Sequence, residues 1–240
     1  MLVNQIYNED CLEGLKGLPD GCIDTIICDL PSRAVNRCKN NRWDNQIDLS
    51  ELWKQWKRVL VKGGNVILFA SGAYLGELIS SNPKWFRYEL IWAKNNGTDF
   101  FHAHTKPINK HESICVFGDK NPHYYDSGIE RVEAKRIECR NGVTFAHVRK
   151  TERQPRRGFP TSILNIPKER TQVVATQKPL ELIRMLVRMY TKPDGVVLDN
   201  CMGSGTTAVA CILEKRNYIG YELNKDHYNR AVARIKEYEK

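Results

Sequence analysis

The residues able to do chemistry fall mainly in two short stretches. One is Val196-Val197-Leu198-Asp199-Asn200-Cys201-Met202-Gly203-Ser204-Gly205-Thr206-Thr207. Val196 to Leu198 have the apolar, β-branched character of a covered parallel strand, and Asp199 stands where that strand ends. Gly203 and Gly205 allow a sharp turn and a close approach to a ligand. Thr206 and Thr207 then open an apolar run through Ala208, Val209, Ala210, Ile212 and Leu213 that can pack back on a sheet. Ligands of open α/β sheets bind beyond the carboxyl ends of strands, so the turn is a candidate nucleotide-type site. It is not a phosphate-binding P-loop, because no Lys follows the second glycine, and it is not a G-x-G-x-x-G turn. Alone, the stretch fits a ligand-free strand-to-helix connection equally well. The next strand, Tyr218 to Leu223, places Glu222 about 20 residues beyond the turn, where a Rossmann-like site holds ribose hydroxyls.

The other stretch is Asp29-Leu30-Pro31-Ser32, directly after the β-rich segment Ile23 to Cys28. An acid again stands at a strand's carboxyl end, here with a proline stiffening the exit. Turns also recruit Asp and Pro for purely local reasons, so these four residues alone favour a capped loop.

The positioning elements follow from periodicity. Gln5 to Asp10 reads as a short strand ending in an acid, and Cys11 to Leu18 as a helical turn or two closed by Pro19-Asp20-Gly21. Leu52, Trp53, Trp56, Val59 and Leu60 recur at helical spacing in Leu49 to Val61, a helix ended by Gly63-Gly64. Asn65 to Ala70, Trp85 to Trp92 and Ile114 to Phe117 read as strands, and Ala73 to Ser80 as a short helix. A later helix starts at Thr176-Gln177-Lys178-Pro179, with Pro179 suited to the first helical position. It presents Leu182, Ile183, Leu186, Val187 and Tyr190. The last helix, Asp226 to Tyr238, buries Tyr228, Ala231, Val232 and Ile235. No internal repeat or low-complexity segment interrupts this order.

Composition narrows the class. With 240 residues, 41% hydrophobic and 27% charged, the chain can bury a sizeable core. Its net charge of +9 favours a polyanionic partner. The 8 cysteines are scattered, without a Cys-x-x-Cys pair or a His cluster at metal spacing. They read as reduced core thiols of a cytoplasmic protein that holds no metal. No apolar run approaches the roughly 20 residues that span a bilayer, and no targeting pattern opens the chain.

Between about Asn121 and Pro167 periodicity fades and positive charge gathers. Arg131 to Arg157 carries nine Lys or Arg against three Glu, with Tyr124, Tyr125, Phe145 and Phe159 interspersed. Charge runs are commonly solvated faces. This one carries most of the positive excess, which points to nucleic acid. A second basic segment, Arg33 to Asn45, holds Arg33, Arg37, Lys39, Arg42 and Trp43 and reads as a surface loop.

The order of these parts resembles the β-class amino-methyltransferases of DNA found in bacteria and phages. The resemblance spans nearly the whole chain. It rests on Asp29-Leu30-Pro31-Ser32 first, the basic, aromatic-bearing region next, and Gln177-Lys178-Pro179 with Leu198-Asp199 and Gly203 to Thr207 last. Gly220-Tyr221-Glu222-Leu223, Tyr228, Asn8-Glu9-Asp10-Cys11, Leu18-Pro19-Asp20-Gly21 and His111-Glu112 also fit.

The resemblance implies a Rossmann-like α/β fold with a mostly parallel twisted sheet, helices on both faces and circularly permuted motif order. It implies a catalytic half over 1–120, a target-recognition insertion over 121–167 and a cofactor-binding half over 168–240. S-adenosylmethionine would be the cofactor and double-stranded DNA the partner, with a homodimer and a cognate restriction enzyme as further partners. Asp29 and the backbone carbonyl at the Leu30–Pro31 step would accept hydrogen bonds from the target amine. This frees its delocalised lone pair for direct methyl transfer, and the rest of the task is in-line positioning. Asp10, Cys11, Asp29, Asp199, Met202, Gly203, Ser204, Gly205, Thr206, Thr207, Glu222 and Leu223 would surround the cofactor, with Glu222 on the ribose. Lys178 would reach the cofactor carboxylate or else be a surface lysine. Arg33, Arg37, Lys39, Arg42, Trp43, Arg136, Arg140, Arg149, Lys150, Arg156 and Arg157 would contact DNA.

Two departures stand out. Leu30 replaces a family Pro but keeps a usable carbonyl. Ser32 replaces an aromatic that stacks on the extruded base, a contact worth about 1–3 kcal/mol, so that Trp43 is a candidate substitute. The Asn200-Cys201-Met202 segment also differs from the usual Pro-Phe-x. Asp as first residue fits adenine-N6 members, whereas Ser there fits cytosine-N4 members. Three functions therefore stand: adenine-N6 methylation with cytosine-N4 as its variant, a DNA-binding protein weakened at Ser32, and methylation of RNA or a small amine. The basic insertion argues against the small amine.

Overall fold

The computed structural model describes residues 3–32, 47–98, 100–120, 122–125, 130–131, 156–157, 160–169, 173–174 and 177–239. Arg33, Arg37, Lys39, Arg42, Trp43, Arg136, Arg140, Arg149 and Lys150 lie outside the described residues. The described chain forms two compact units, one of residues 1–125 with 162–240 and one of residues 126–161.

In the larger unit the elements run β1 (Gln5–Tyr7), α1 (Cys11–Lys16), β2 (Ile23–Cys28), α2 (Leu49–Val59), β3 (Leu60–Ala70), α3 (Ala73–Ser81), β4 (Phe86–Thr98) and β5 (Asn109–Gly118). The smaller unit holds β6 (Glu130–Arg131) and β7 (Arg156–Arg157), which pair antiparallel. The larger unit resumes with β8 (Ile163–Asn165), α4 (Leu180–Tyr190), β9 (Val196–Asp199), α5 (Thr206–Leu213), β10 (Asn217–Tyr221) and α6 (Lys225–Tyr238).

Its eight described strands lie in the order β1-β10-β9-β2-β3-β5-β4-β8. Only β5 runs against the others, pairing antiparallel with both β3 and β4. From β9 the chain crosses through α5 to β10 on one side, and from β2 through α2 to β3 on the other. The order thus reverses between β9 and β2, the point where open α/β sheets leave a crevice beyond their strand ends.

Successive strand residues face opposite ways. Ile26, Leu68 and Leu198 join α1, α2 and α3 through Leu15, Leu52, Trp56 and Leu78 in one apolar core. Ile27, Ile67 and Val197 join α4, α5 and α6 through Leu186, Val209 and Ile235 in the other. Helices therefore cover both faces, which is why the central strands are mostly apolar and buried along most of their length.

Several sequence-based boundaries move. The 49–61 helix stops at Val59, and Gly63-Gly64 lies inside β3 rather than ending the helix. The pairing of β2 with β3 jumps there, from Ile23 opposite Leu60 to Thr25 opposite Asn65. Gly63 takes φ of 82°, and a Cβ on Gly64 would meet the Asp24 carbonyl at 2.9 Å, so the glycines serve this irregularity. Pro179 is the N-cap residue of α4, one position earlier than expected. The Glu169 carboxylate accepts the Leu180 N–H at 2.7 Å, supplying the cap a proline side chain cannot. β4 and β5 extend well beyond their apolar cores, and β10 ends at Tyr221 with Glu222 just outside it. In α6, Ala231 and Ile235 are buried, whereas Tyr228 and Val232 are half-buried. Leu213 at the end of α5 is exposed. Among the described residues no helix is long and apolar enough to cross a membrane.

Candidate active site

A cavity of about 650 Å³ opens beyond the carboxyl ends of β2 and β9, at the reversal of strand order. Asp10, Cys11, Asp29, Leu30, Pro31, Ser32, Lys178, Asp199, Met202, Gly203, Ser204, Thr206, Thr207, Glu222 and Leu223 line it. Two remote parts of the sequence thereby meet in one space. Gly205 is not among the lining residues. Its φ of 76° makes the turn into α5, and a Cβ there would press on Ala231 and Ile235 of α6 at 3.2 and 3.3 Å.

The turn between β9 and α5 is held from beneath. Asp199 accepts the Thr207 hydroxyl at 2.6 Å and the Cys201 N–H at 3.0 Å. Burial, opposed by these two bonds, pushes its carboxyl up to about 6. The Trp56 indole donates to Asn200 at 3.2 Å, tying the turn to α2. Met202 N–H bonds the Tyr221 carbonyl at 2.8 Å, and Arg234 of α6 donates to the Thr206 hydroxyl at 2.8 Å. Gly203, at φ of 53°, is a bare backbone position where an added Cβ would stand 3.9 Å from the Cys201 carbonyl with nothing nearer. The turn is thus rigid below and open above.

Glu222, just past β10, is 9% exposed. Its Oε2 accepts the Gly203 N–H at 2.8 Å and its Oε1 the Asn224 N–H at 2.7 Å. A carboxylate has capacity for further donors, so Glu222 can fasten the turn and still accept from a ligand hydroxyl. Asp10 is likewise engaged: its Oδ1 caps α1 through the Leu12 N–H at 2.8 Å. The chemistry of this half suits a polar ligand carrying hydroxyl and amino donors.

Opposite lies a chain of four charges. Lys178 bonds Asp29 and reaches Glu112 Oε1 at 3.2 Å, and Glu112 Oε2 pairs with Lys94 at 2.9 Å. Lys178 is a buried residue of the site, its side chain 12% exposed and its ammonium 4.8 Å from the Phe69 ring centre. It is not a surface lysine. Burial would lower its pKa, but Asp29 and Glu112 outweigh that and hold it above the ordinary value. Burial likewise opposes ionisation of Glu112, yet Lys178 and Lys94 keep its carboxyl below the usual range. Lys168 lines the same wall and is shifted down by burial and by Lys94.

Sequence reasoning missed Lys94, Lys168 and the chemistry of Glu112, because no local spacing joins β4, β5 and the segment before α4. It also missed that Cys11, Cys28 and Cys201 gather at the cavity. The Asn200 amide lies 3.7 and 3.8 Å from the Cys11 and Cys201 sulfurs, and burial pushes the Cys28 thiol up to about 12. These are protonated, packing thiols. Arg156 and Arg157 belong to the smaller unit, where only their strand pairing with Glu130 and Arg131 is described.

Comparison with known proteins bears on this arrangement. Type II methyltransferase M.HinfI of Haemophilus influenzae is 28% identical over 265 residues, covering 98% of this chain and 69% of that protein. Type II methyltransferase M.BglII of Bacillus subtilis is 26% identical, covering 95% of this chain and 68% of that protein. In fold, the chain matches M1.HpyAVI, solved as an S-adenosylmethionine complex, with a TM-score of 0.65 at 21% identity, over 96% of this chain and 98% of that one. It also matches the cytosine-N4-specific PvuII DNA methyltransferase with a TM-score of 0.68 at 15% identity, over 98% and 90%. These two likenesses carry the fold, a Rossmann-like α/β sheet of the methyltransferase type. The model of the DNA methylase family of N6/N4 methyltransferases matches residues 23–233, and the chain belongs to that family.

Proposed function

We propose that this protein transfers a methyl group from S-adenosylmethionine to the exocyclic N6 of adenine at a specific site in double-stranded DNA. The observation carrying this reading is the shared cavity: the Asp29 strand end and the Gly203–Glu222 turn open into one space. S-adenosylmethionine supplies an electrophilic methyl on a sulfonium. The residues present fit it. Glu222 accepts from ribose hydroxyls, the bare backbone at Gly203 admits the methionine end, and Asp10 and Leu223 lie where an adenine could rest.

Asp29 and the Leu30 carbonyl accept the N–H bonds of the target amine. That draws its lone pair out of conjugation with the ring and aims it, the positioning share of catalysis. Asp as the first residue of the four favours adenine over cytosine. The target-recognition insertion is residues 121–167, where Arg136, Arg140, Arg149, Lys150, Arg156 and Arg157 meet phosphates or bases, joined by Arg33, Arg37, Lys39, Arg42 and Trp43. Action on DNA in the cytoplasm, a homodimer and a cognate restriction enzyme complete the reading. Incubating the purified protein with labelled S-adenosylmethionine and DNA, then hydrolysing to nucleosides, tests it: label belongs in N6-methyladenine. Label in N4-methylcytosine would replace the base assignment, and none in DNA would remove the activity.

A second reading has an observation of its own. Ser32 lines the cavity where the family places an aromatic, and the aromatic residues lining it among the described residues, Phe69 and Trp92, are buried at 2% and 1% exposure. A weakened enzyme that mainly binds DNA follows if Trp43 does not supply the stack.

A further inference from the structure

Lys178 stands between two carboxylates rather than beside one. Asp29 comes from the end of β2 and Glu112 from β5, and Lys178 reaches both from the segment before α4. Glu112 is 14% exposed and is itself shared with Lys94 of β4. The other charged groups facing this cluster are Lys168, after β8, and Asp199, at the end of β9. An ammonium lying wholly on Asp29 would occupy the acceptor that the target amine needs and weaken it as a base. A second carboxylate within reach divides the ammonium's hold.

Resting on the proposed methyl transfer, we infer that Glu112 is a positioning residue: it draws the Lys178 ammonium partly off Asp29 and so keeps Asp29 able to accept the amine of the target base. Lys94 holds Glu112 ionised for this purpose through its 2.9 Å contact. Glu112 touches neither the base nor the methyl group. It acts mainly through Lys178. Removing its charge leaves Lys178, Lys94 and Lys168 facing Asp29, whose carboxyl then becomes more acidic and a poorer acceptor.

The test uses Glu112→Gln, which keeps shape and loses charge, with Lys178→Met and the double variant. In the ligand-free protein, carbon-13 NMR of Asp side chains should show the Asp29 titration moving to lower pH in Glu112→Gln. Single-turnover methylation should fall about 10-fold, the order of one weakened hydrogen bond to the amine, with its acid limb moved to lower pH. Cofactor affinity by calorimetry should fall clearly less than the methylation rate, because the loss is felt mainly where Asp29 accepts the amine. The double variant should lose clearly less than the two single losses multiplied together, because most of the Glu112 effect runs through Lys178, with a smaller direct influence of its charge on Asp29 across the cavity. An unmoved Asp29 titration, or additive losses in the double variant, overturns the inference. Because the NMR result needs no turnover, it stands apart from the activity itself. Native protein that methylates no DNA would sink the proposed function, whereas active native protein with an unmoved Asp29 titration would sink only the role of Glu112.

Discussion

Asp29 and Glu222 line the same cavity from strands that are not neighbours: β9 lies between β2 and β10. The turn that leaves β9 therefore rises between the two acids, and Glu222 fastens it through the Gly203 N–H at 2.8 Å. The cofactor half and the acceptor half thus share one sheet edge, so an electrophile held on one can face an amine held on the other.

Glu222 has two tasks that substitution should reveal together. Glu222→Gln keeps the shape but leaves one acceptor oxygen for the N–H groups of Gly203 and Asn224, so one bond becomes neutral and the other is lost, with the amide NH2 facing an N–H. Hydrogen bonds to charged groups contribute about 1.5–3 kcal/mol. S-adenosylmethionine binding by calorimetry should weaken about 10- to 100-fold, and urea unfolding should show a loss of about 1–3 kcal/mol from the turn bond that is no longer made.

The two glycines of the turn should separate fold from function. Gly205→Ala forces a Cβ into the left-handed region against α6 and should cost ~2 kcal/mol in urea unfolding. Gly203→Ala meets no close neighbour. It should leave stability changed by about 1 kcal/mol, yet weaken cofactor binding more than Gly205→Ala does.

Asp199 makes a pH prediction with a definite sign. Its carboxyl sits at about 6 in the fold against an ordinary value of 3.8, chiefly through burial. A raised native pKa means the folded state holds the proton more tightly. The contribution is fully present below pH 3.8 and is lost as the pH rises through about 6. Asp199→Asn carries no such titration. Between those limits the native protein should lose ~3 kcal/mol relative to this variant, read from urea midpoints at each pH.

Ser32→Tyr tests the missing aromatic. A restored stack is worth about 1–3 kcal/mol, so methylation at limiting DNA should rise about 10- to 100-fold if no other ring fills that role. An unchanged rate would mean that the stack is supplied elsewhere or is not used.

What could be read from the sequence was what is local. The β-rich segment before Asp29, the Val-Val-Leu-Asp strand and the Gly203–Thr207 turn each declare themselves within a dozen residues, and the structure brings their ends to one cavity. Gly63-Gly64 misled, because a glycine pair after a helix resembles a terminator, whereas here it permits the irregular start of β3. The Asp29–Lys178–Glu112–Lys94 chain was illegible, because its members come from four separate segments that only the antiparallel insertion of β5 brings together. The depth of Lys178 was hidden for the same reason: no spacing tells that a lysine before a proline will lie over Phe69.

The central claim is tested most directly by the methylome of cells expressing this chain beside cells expressing Asp29→Ala. The account predicts N6-methyladenine at one recurring sequence with the native chain and its complete loss with Asp29→Ala, while the purified variant still binds S-adenosylmethionine. The same modification in both cell lines, or none with a native protein that folds and binds the cofactor, would contradict it.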